Sequence, residues 1–132
     1  MLKKVMIIDD NEMDLYVGKR VMTKYSFAEE VLTIDSAKGA LEYLIEKKND
    51  PDQLPDLILL DINMPEMNGF EFLEEYTSLP ENIRRNCIIM MLTTSMHFED
   101  EQKATSNPYV RSYMNKPLDE NKLTSLLGLF KG

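Results

Sequence analysis

The chain has 132 residues, 43% of them hydrophobic, and a formal net charge of −8. That length suits one domain with an ordinary core, so a single domain over residues 1–132 is expected. The negative charge argues against binding nucleic acid or an anionic membrane surface through bulk electrostatics, and favours basic partner surfaces.

The chain opens into an apolar run, Val5-Met6-Ile7-Ile8, which predicts a first strand at residues 4–9 closed by Asp9 and Asp10. Asn11 is a good N-cap for a first helix, with Val17, Val21, Met22 and Tyr25 on its inward face. A second strand is expected at residues 30–34. Ser36 then caps a helix whose apolar stripe is Ala37, Ala40, Leu41, Leu44 and Ile45, and a polar, proline-bearing loop runs from Asn49 to Pro55. Leu57-Ile58-Leu59-Leu60 predicts a third strand ending in Asp61.

The turn-rich stretch from Met64 to Gly69 leads into a helix that points Phe72, Leu73 and Tyr76 inward. The fourth strand is expected at residues 87–92, and Arg84 and Arg85 before it read as solvated. Cys87, the one cysteine, opens that strand as an inert core thiol. A polar, weakly marked fourth helix follows within residues 97–106, where mobility is expected. His97, the one histidine, reads as an exposed side chain. The fifth strand is Val110 to Asn115, and a last helix from Asp119 carries Leu123, Leu126, Leu127 and Phe130.

Five strand–helix units result. Strands that are mostly continuous apolar runs imply a parallel sheet with helices on both faces. No run approaches the roughly 20 apolar residues that cross a bilayer. A lone cysteine and an N-terminus without the marks of a secretory signal point to a cytoplasmic chain. The start at Met1 and the closing helix suggest a whole protein.

The chemistry gathers where strands end. Asp9, Asp10 and Asp61 would share one pocket at the carboxyl edge of the sheet, where open α/β folds bind ligands. Three carboxylates in one place repel unless a cation compensates, and Mg²⁺ is the natural candidate because it prefers oxygen ligands and keeps several waters. The alternative is that these are surface acids in water. Thr93 after the fourth strand and Lys116 after the fifth add a hydroxyl and an ammonium at the same edge, both suited to a phosphate. Pro117 after the lysine makes a cis peptide one way of aiming it.

The pieces Ile8-Asp9-Asp10, Asp61 through Gly69, Leu92-Thr93 and Tyr113-Met114-Asn115-Lys116-Pro117 occur in this order over essentially the whole chain. At these residues the chain resembles the receiver domains of two-component response regulators, the family that includes the bacterial chemotaxis regulator. The resemblance implies a flavodoxin-like α/β fold, (βα)5, with strand order 2-1-3-4-5. It implies that Asp61 accepts a phosphoryl group from a phosphohistidine on a sensor histidine kinase or a histidine phosphotransfer protein. Asp10, Asp61 and the backbone carbonyl of Asn63 would ligate Mg²⁺, with Asp9 acting through a water. Lys116 and Thr93 would contact the phosphoryl oxygens, and Thr93 and Tyr113 would form a switch pair. The output would lie on the face of the fourth helix, fifth strand and last helix, for docking an unidentified target, for phosphorelay or for a homodimer.

Two departures from the family pattern stand out. Thr94 replaces the small residue that commonly follows the hydroxyl position, which bears on access to the phosphoryl group. Asn107-Pro108-Tyr109 and its sequel lack the Gly-Ala pair frequent before the aromatic switch position. The competing reading is a haloacid-dehalogenase-type phosphatase with an aspartate nucleophile, faintly suggested by Asp61-Ile62-Asn63. Its general acid falls two residues after the nucleophile, and Asn63 cannot carry a proton in that role. A receiver is expected instead to promote its own phosphorylation and dephosphorylation without turning over external substrates.

Overall fold

A computed structural model describes residues 2–94 and 97–128. In chain order the elements are β1 (Leu2–Ile8), α1 (Glu12–Lys24), β2 (Ala28–Ile34), α2 (Ala37–Glu46), β3 (Leu57–Leu60), α3 (Gly69–Tyr76), α4 (Glu81–Asn86), β4 (Ile88–Thr93), α5 (Phe98–Ser106), β5 (Val110–Asn115) and α6 (Glu120–Gly128). The strands form one parallel sheet in the order β2-β1-β3-β4-β5. The sheet and its order are those expected.

Strand periodicity divides the core into two layers. On one face Met6, Ile8, Ile58, Leu60, Ile89 and Met91 pack against α2, α3 and Ala104 of α5. On the other Val5, Ile7, Leu57, Leu59, Met90 and Leu92 pack against Leu15 and Met22 of α1 and Leu123 and Leu126 of α6. Burial on both faces is why β1, β3 and β4 read as unbroken apolar runs. It does not extend to β2 and β5, which are the sheet's edges and stay largely half-buried or exposed.

Other expectations are corrected in detail. β1 ends at Ile8, so Asp9 lies just beyond it, and β2 begins two residues earlier than expected. Tyr25 and Ile45 are 41% and 47% exposed. Tyr25 is the C-cap of α1, past the last inward turn. A 3-10 turn at Pro51–Gln53 and the six-residue helix α4 were not anticipated. α4 has one buried apolar side chain, Ile83, and no side-chain N-cap bond, so it shows no periodic stripe. Phe130 lies outside the described residues.

The end of α1 is a Schellman turn. The amide of Phe27 donates to the Met22 carbonyl at 2.9 Å, that of Ser26 donates to the Thr23 carbonyl at 3.2 Å, and Ser26 takes φ 50°. A side chain is strained in this left-handed region, whereas glycine is not. Ser26→Gly should therefore raise the urea midpoint, stabilising the fold by about 0.5–1 kcal/mol after glycine's extra freedom in the unfolded chain is counted.

Candidate functional site

Neighbouring strands bring the acids together. Ile8 of β1 stands opposite Leu60 of β3, so Asp9 and Asp61 leave the sheet side by side. The amide of Asp61 donates to the Ile8 carbonyl at 3.0 Å, and that of Asp9 donates to the Ile34 carbonyl at 3.1 Å. Asp9 and Asp61 are buried, at 3% and 6% exposure, while Asp10 is exposed. One carboxylate oxygen from each of Asp9, Asp10 and Asp61 lies within 4.8 Å of the others.

Lys116 enters this group from the end of β5. Its amide donates to the Thr93 carbonyl at 2.9 Å, and its peptide bond to Pro117 is cis. The ammonium donates to Oδ2 of Asp9 at 2.6 Å and to Oδ2 of Asp14 at 2.7 Å, and stands 3.5 Å from Oδ1 of Asp61. Sequence reasoning placed this lysine at the sheet edge as a partner for a phosphate. Its short bonds go to Asp9 and to Asp14, the second of which sequence reasoning missed. The only trace of Asp14 in the sequence is an acid in the first turn of the helix after β1, a placement that the helix dipole alone ordinarily explains. Asp9 is held at its other oxygen too, where Oδ1 accepts the Asn11 amide at 3.0 Å.

This geometry shifts proton affinities. Burial, and next the Asp9 charge, push the Asp61 carboxyl up to about 6 against the opposing pull of Lys116. Burial pulls the Lys116 ammonium down, but its bonds to Asp14 and Asp9 and the Asp61 charge outweigh it, and its pKa is raised. One ammonium therefore meets three carboxylates, Asp9, Asp14 and Asp61, and Asp10 adds a fourth to the same group of acids. The converging oxygens fit a divalent cation: the donors are all hard oxygens, and their excess negative charge is what such an ion relieves.

The loop after Asp61 closes against α3. Asn63 is exposed in it, and Glu66 takes φ 68° in a tight turn where the Met67 amide donates to the Pro65 carbonyl at 2.7 Å. Asn68 and Glu71 form a reciprocal capping box on α3. Gly69 is required by proximity: a Cβ there would lie 2.5 Å from the Asp61 carbonyl oxygen and 3.0 Å from Ile62 Cα. Its amide donates to the Ile62 carbonyl at 2.9 Å.

Thr93 is the last residue of β4 and fully buried. Tyr113 pairs in register with Met91 and packs, half-buried, against the core. His97 is exposed at the N-cap of α5. Cys87 is half-buried, and burial pushes its thiol up to about 12, so it stays protonated at neutral pH. Arg84 is not a free surface charge: its Nε donates to the Leu79 carbonyl at 2.9 Å and its guanidinium donates to the Tyr109 hydroxyl at 2.7 Å. Arg85 is exposed.

Residues 5–128 match the family model of the response regulator receiver domain, and the chain belongs to that family. It is 30% identical over 115 residues to the probable methanogenesis regulatory protein FilR2 of Methanothrix harundinacea, covering 86% of this chain and 72% of that one. A two component response regulator from Cytophaga hutchinsonii matches with a TM-score of 0.90 at 26% identity, over 97% of this chain and 96% of the other. The Mn²⁺-bound form of response regulator Rcp1 matches with a TM-score of 0.73 at 25% identity, over 98% and 91%. The function is thus two-component signal transduction, in which receivers bind a divalent metal and partner with histidine kinases. The phosphatase reading finds no support in these likenesses. No helix among the described residues is long and apolar enough to cross a membrane.

Proposed function

We propose that Asp61 is the phosphoacceptor of a single receiver domain spanning residues 1–132, charged by a phosphohistidine of a sensor histidine kinase or a histidine phosphotransfer protein. The observation that carries this reading is one buried carboxylate, Asp61, set beside two other acids and 3.5 Å from an ammonium. An Asp61 oxygen attacks phosphorus, the bond from phosphorus to the histidine nitrogen breaks, and the imidazole keeps that electron pair. An acyl phosphate forms on the chain. Lys116 and the Thr93 hydroxyl meet the phosphoryl oxygens, so the protein contributes position and charge rather than proton transfer.

Mg²⁺ is the proposed cation, held by Asp10, Asp61 and the backbone carbonyl of Asn63, with Asp9 acting through a water. When bound it supplies charge neutralisation and orientation of the phosphoryl oxygens. The bonds of Asp9 to Lys116 and to the Asn11 amide support its indirect role, because both of its oxygens already have donors.

Thr93 and Tyr113 form the proposed switch. Tyr113 lies on β5 beside the strand that Thr93 ends, so a hydroxyl drawn toward the phosphoryl group leaves space for the ring to enter. The responding face is α5, β5 and α6, where an unidentified protein target or a second copy of the chain would dock, or from which the phosphoryl group passes on in a relay. The chain turns over no external substrate and works in the cytoplasm. Exposed Thr94 flanks Thr93 and bears on how long the acyl phosphate survives hydrolysis.

Incubation with acetyl phosphate and Mg²⁺ should add one phosphoryl mass to the chain, and chelation with EDTA should prevent it. A gain that persists in EDTA, or maps to a residue other than Asp61, counts against this reading. Mg²⁺ should also raise the thermal midpoint of the unlabelled protein by mass action on the folded state. Asp10→Asn should abolish most of that rise while leaving the metal-free protein at least as stable, because it removes a repelling charge. A full Mg²⁺ response in Asp10→Asn would exclude Asp10 as a ligand.

A further inference from the structure

We propose that Asp14 is a positioning residue that competes with the phosphorylated Asp61 for the ammonium of Lys116, and so sets how tightly the site holds its phosphoryl group. The inference rests on the reading of Asp61 as phosphoacceptor with Lys116 meeting its phosphoryl oxygens. A lysine ammonium has three donors and no acceptor. Two are committed at 2.6 Å and 2.7 Å, to Asp9 and Asp14, whereas Asp61 stands off at 3.5 Å.

The two anchors are not equivalent. Asp9 leaves the sheet edge beside Asp61, its side chain is 5% exposed, and it shares the oxygen cluster that suits a cation. Asp14 comes from the first turn of α1, its side chain is 38% exposed, and it is outside that cluster. A carboxylate within reach of the lysine but outside the cation's oxygen set acts on phosphoryl chemistry through the lysine. Its pull is directed toward the first turn of α1.

A water-sized cavity of ≈ 30 Å³ lies beside these groups, lined by Asp9, Asp14 and Lys116 together with Gly18 of α1. When Asp61 carries a phosphoryl group, its added negative charge draws the ammonium, and the bond to Asp14 is the contact given up. Asp14 therefore opposes the phosphorylated state. Replacing its side chain leaves the helix cap in place, because the cap is made by the Asp14 backbone amide donating to Asn11 Oδ1 at 3.0 Å.

The test is the affinity of the full chain for beryllofluoride, a phosphoryl mimic, in saturating Mg²⁺, measured by titration calorimetry beside the affinity for Mg²⁺ alone. Asp14→Asn should tighten beryllofluoride binding about twofold to fivefold, the range expected for loss of one partly exposed ion pair. Its Mg²⁺ affinity should hold or fall, because a nearby negative charge is gone. Asp14→Glu should return beryllofluoride binding toward the wild-type value. A fold merely loosened by the substitution would weaken both ligands together. Unchanged or weaker beryllofluoride binding by Asp14→Asn, with the wild type binding normally, overturns the role of Asp14. Failure of the wild type itself to bind beryllofluoride overturns the phosphoacceptor reading and this proposal with it.

Discussion

Asp61→Asn should end phosphoryl labelling: with acetyl phosphate and Mg²⁺, intact mass spectrometry should show the added mass on the wild type and none on the variant. The amide nitrogen and oxygen occupy the carboxylate's place but cannot attack phosphorus to give an acyl phosphate. The same change should stabilise the metal-free protein, because the Asp61 carboxyl is lifted from 3.8 to about 6 by burial and by the Asp9 charge. Between those values the unfolded chain has released the proton while the folded chain still holds it, so each rise in pH favours unfolding. Above about 6 both states are ionised and the penalty is complete. The variant's advantage in urea midpoint, measured in EDTA, should be small near pH 3.5, grow up to about pH 6, and then level off. An advantage that grows as pH falls would contradict the burial argument.

Gly69→Ala should damage stability and chemistry together. The added methyl meets the Asp61 carbonyl oxygen at 2.5 Å, and backbone cannot step aside as a flexible side chain can. Overpacking of this kind costs about 1–3 kcal/mol. Relief requires the segment at Asp61 and Ile62 to shift, which moves the phosphoacceptor against Lys116 and Asp9. Labelling by acetyl phosphate should therefore slow at temperatures where the variant remains folded. Gly128→Ala is the matched control, since a Cβ there meets nothing within 4 Å and should leave labelling unchanged. Equal labelling rates for the two variants would show that α3 does not brace the acid loop.

The parts of this molecule that were legible in advance share one physical mark. Inner strands of a doubly covered sheet must be apolar along their whole length, so the first polar residue after each run announces the sheet edge. Asp9, Asp61 and Thr93 are found that way, and Lys116 follows β5, an edge strand whose apolar run is weaker. The rest lacked such a mark. Helix α4 buries only Ile83, which a periodic pattern cannot reveal. Arg84 looks like any exposed cation until the fold brings Tyr109 to it. Asp14 resembles an ordinary helix-start acid, because its bond to Lys116 spans 102 positions of chain. Ile45 keeps helical spacing with Leu41 of the core stripe of α2 yet is 47% exposed, one position round the helix from the fully buried Leu44.

The register of β1 against β3 also bears on how such a chain can diversify. The separation of the two key acids is inherited from the ladder, with Ile8 opposite Leu60 and the Asp61 amide bonded to the Ile8 carbonyl. No surface residue sets it. The outward sides of the helices and the rim of β2 can therefore be rewritten for new kinases and targets while the reactive geometry is copied unchanged. Insulation between parallel signalling pathways can then evolve as a matter of surface recognition alone.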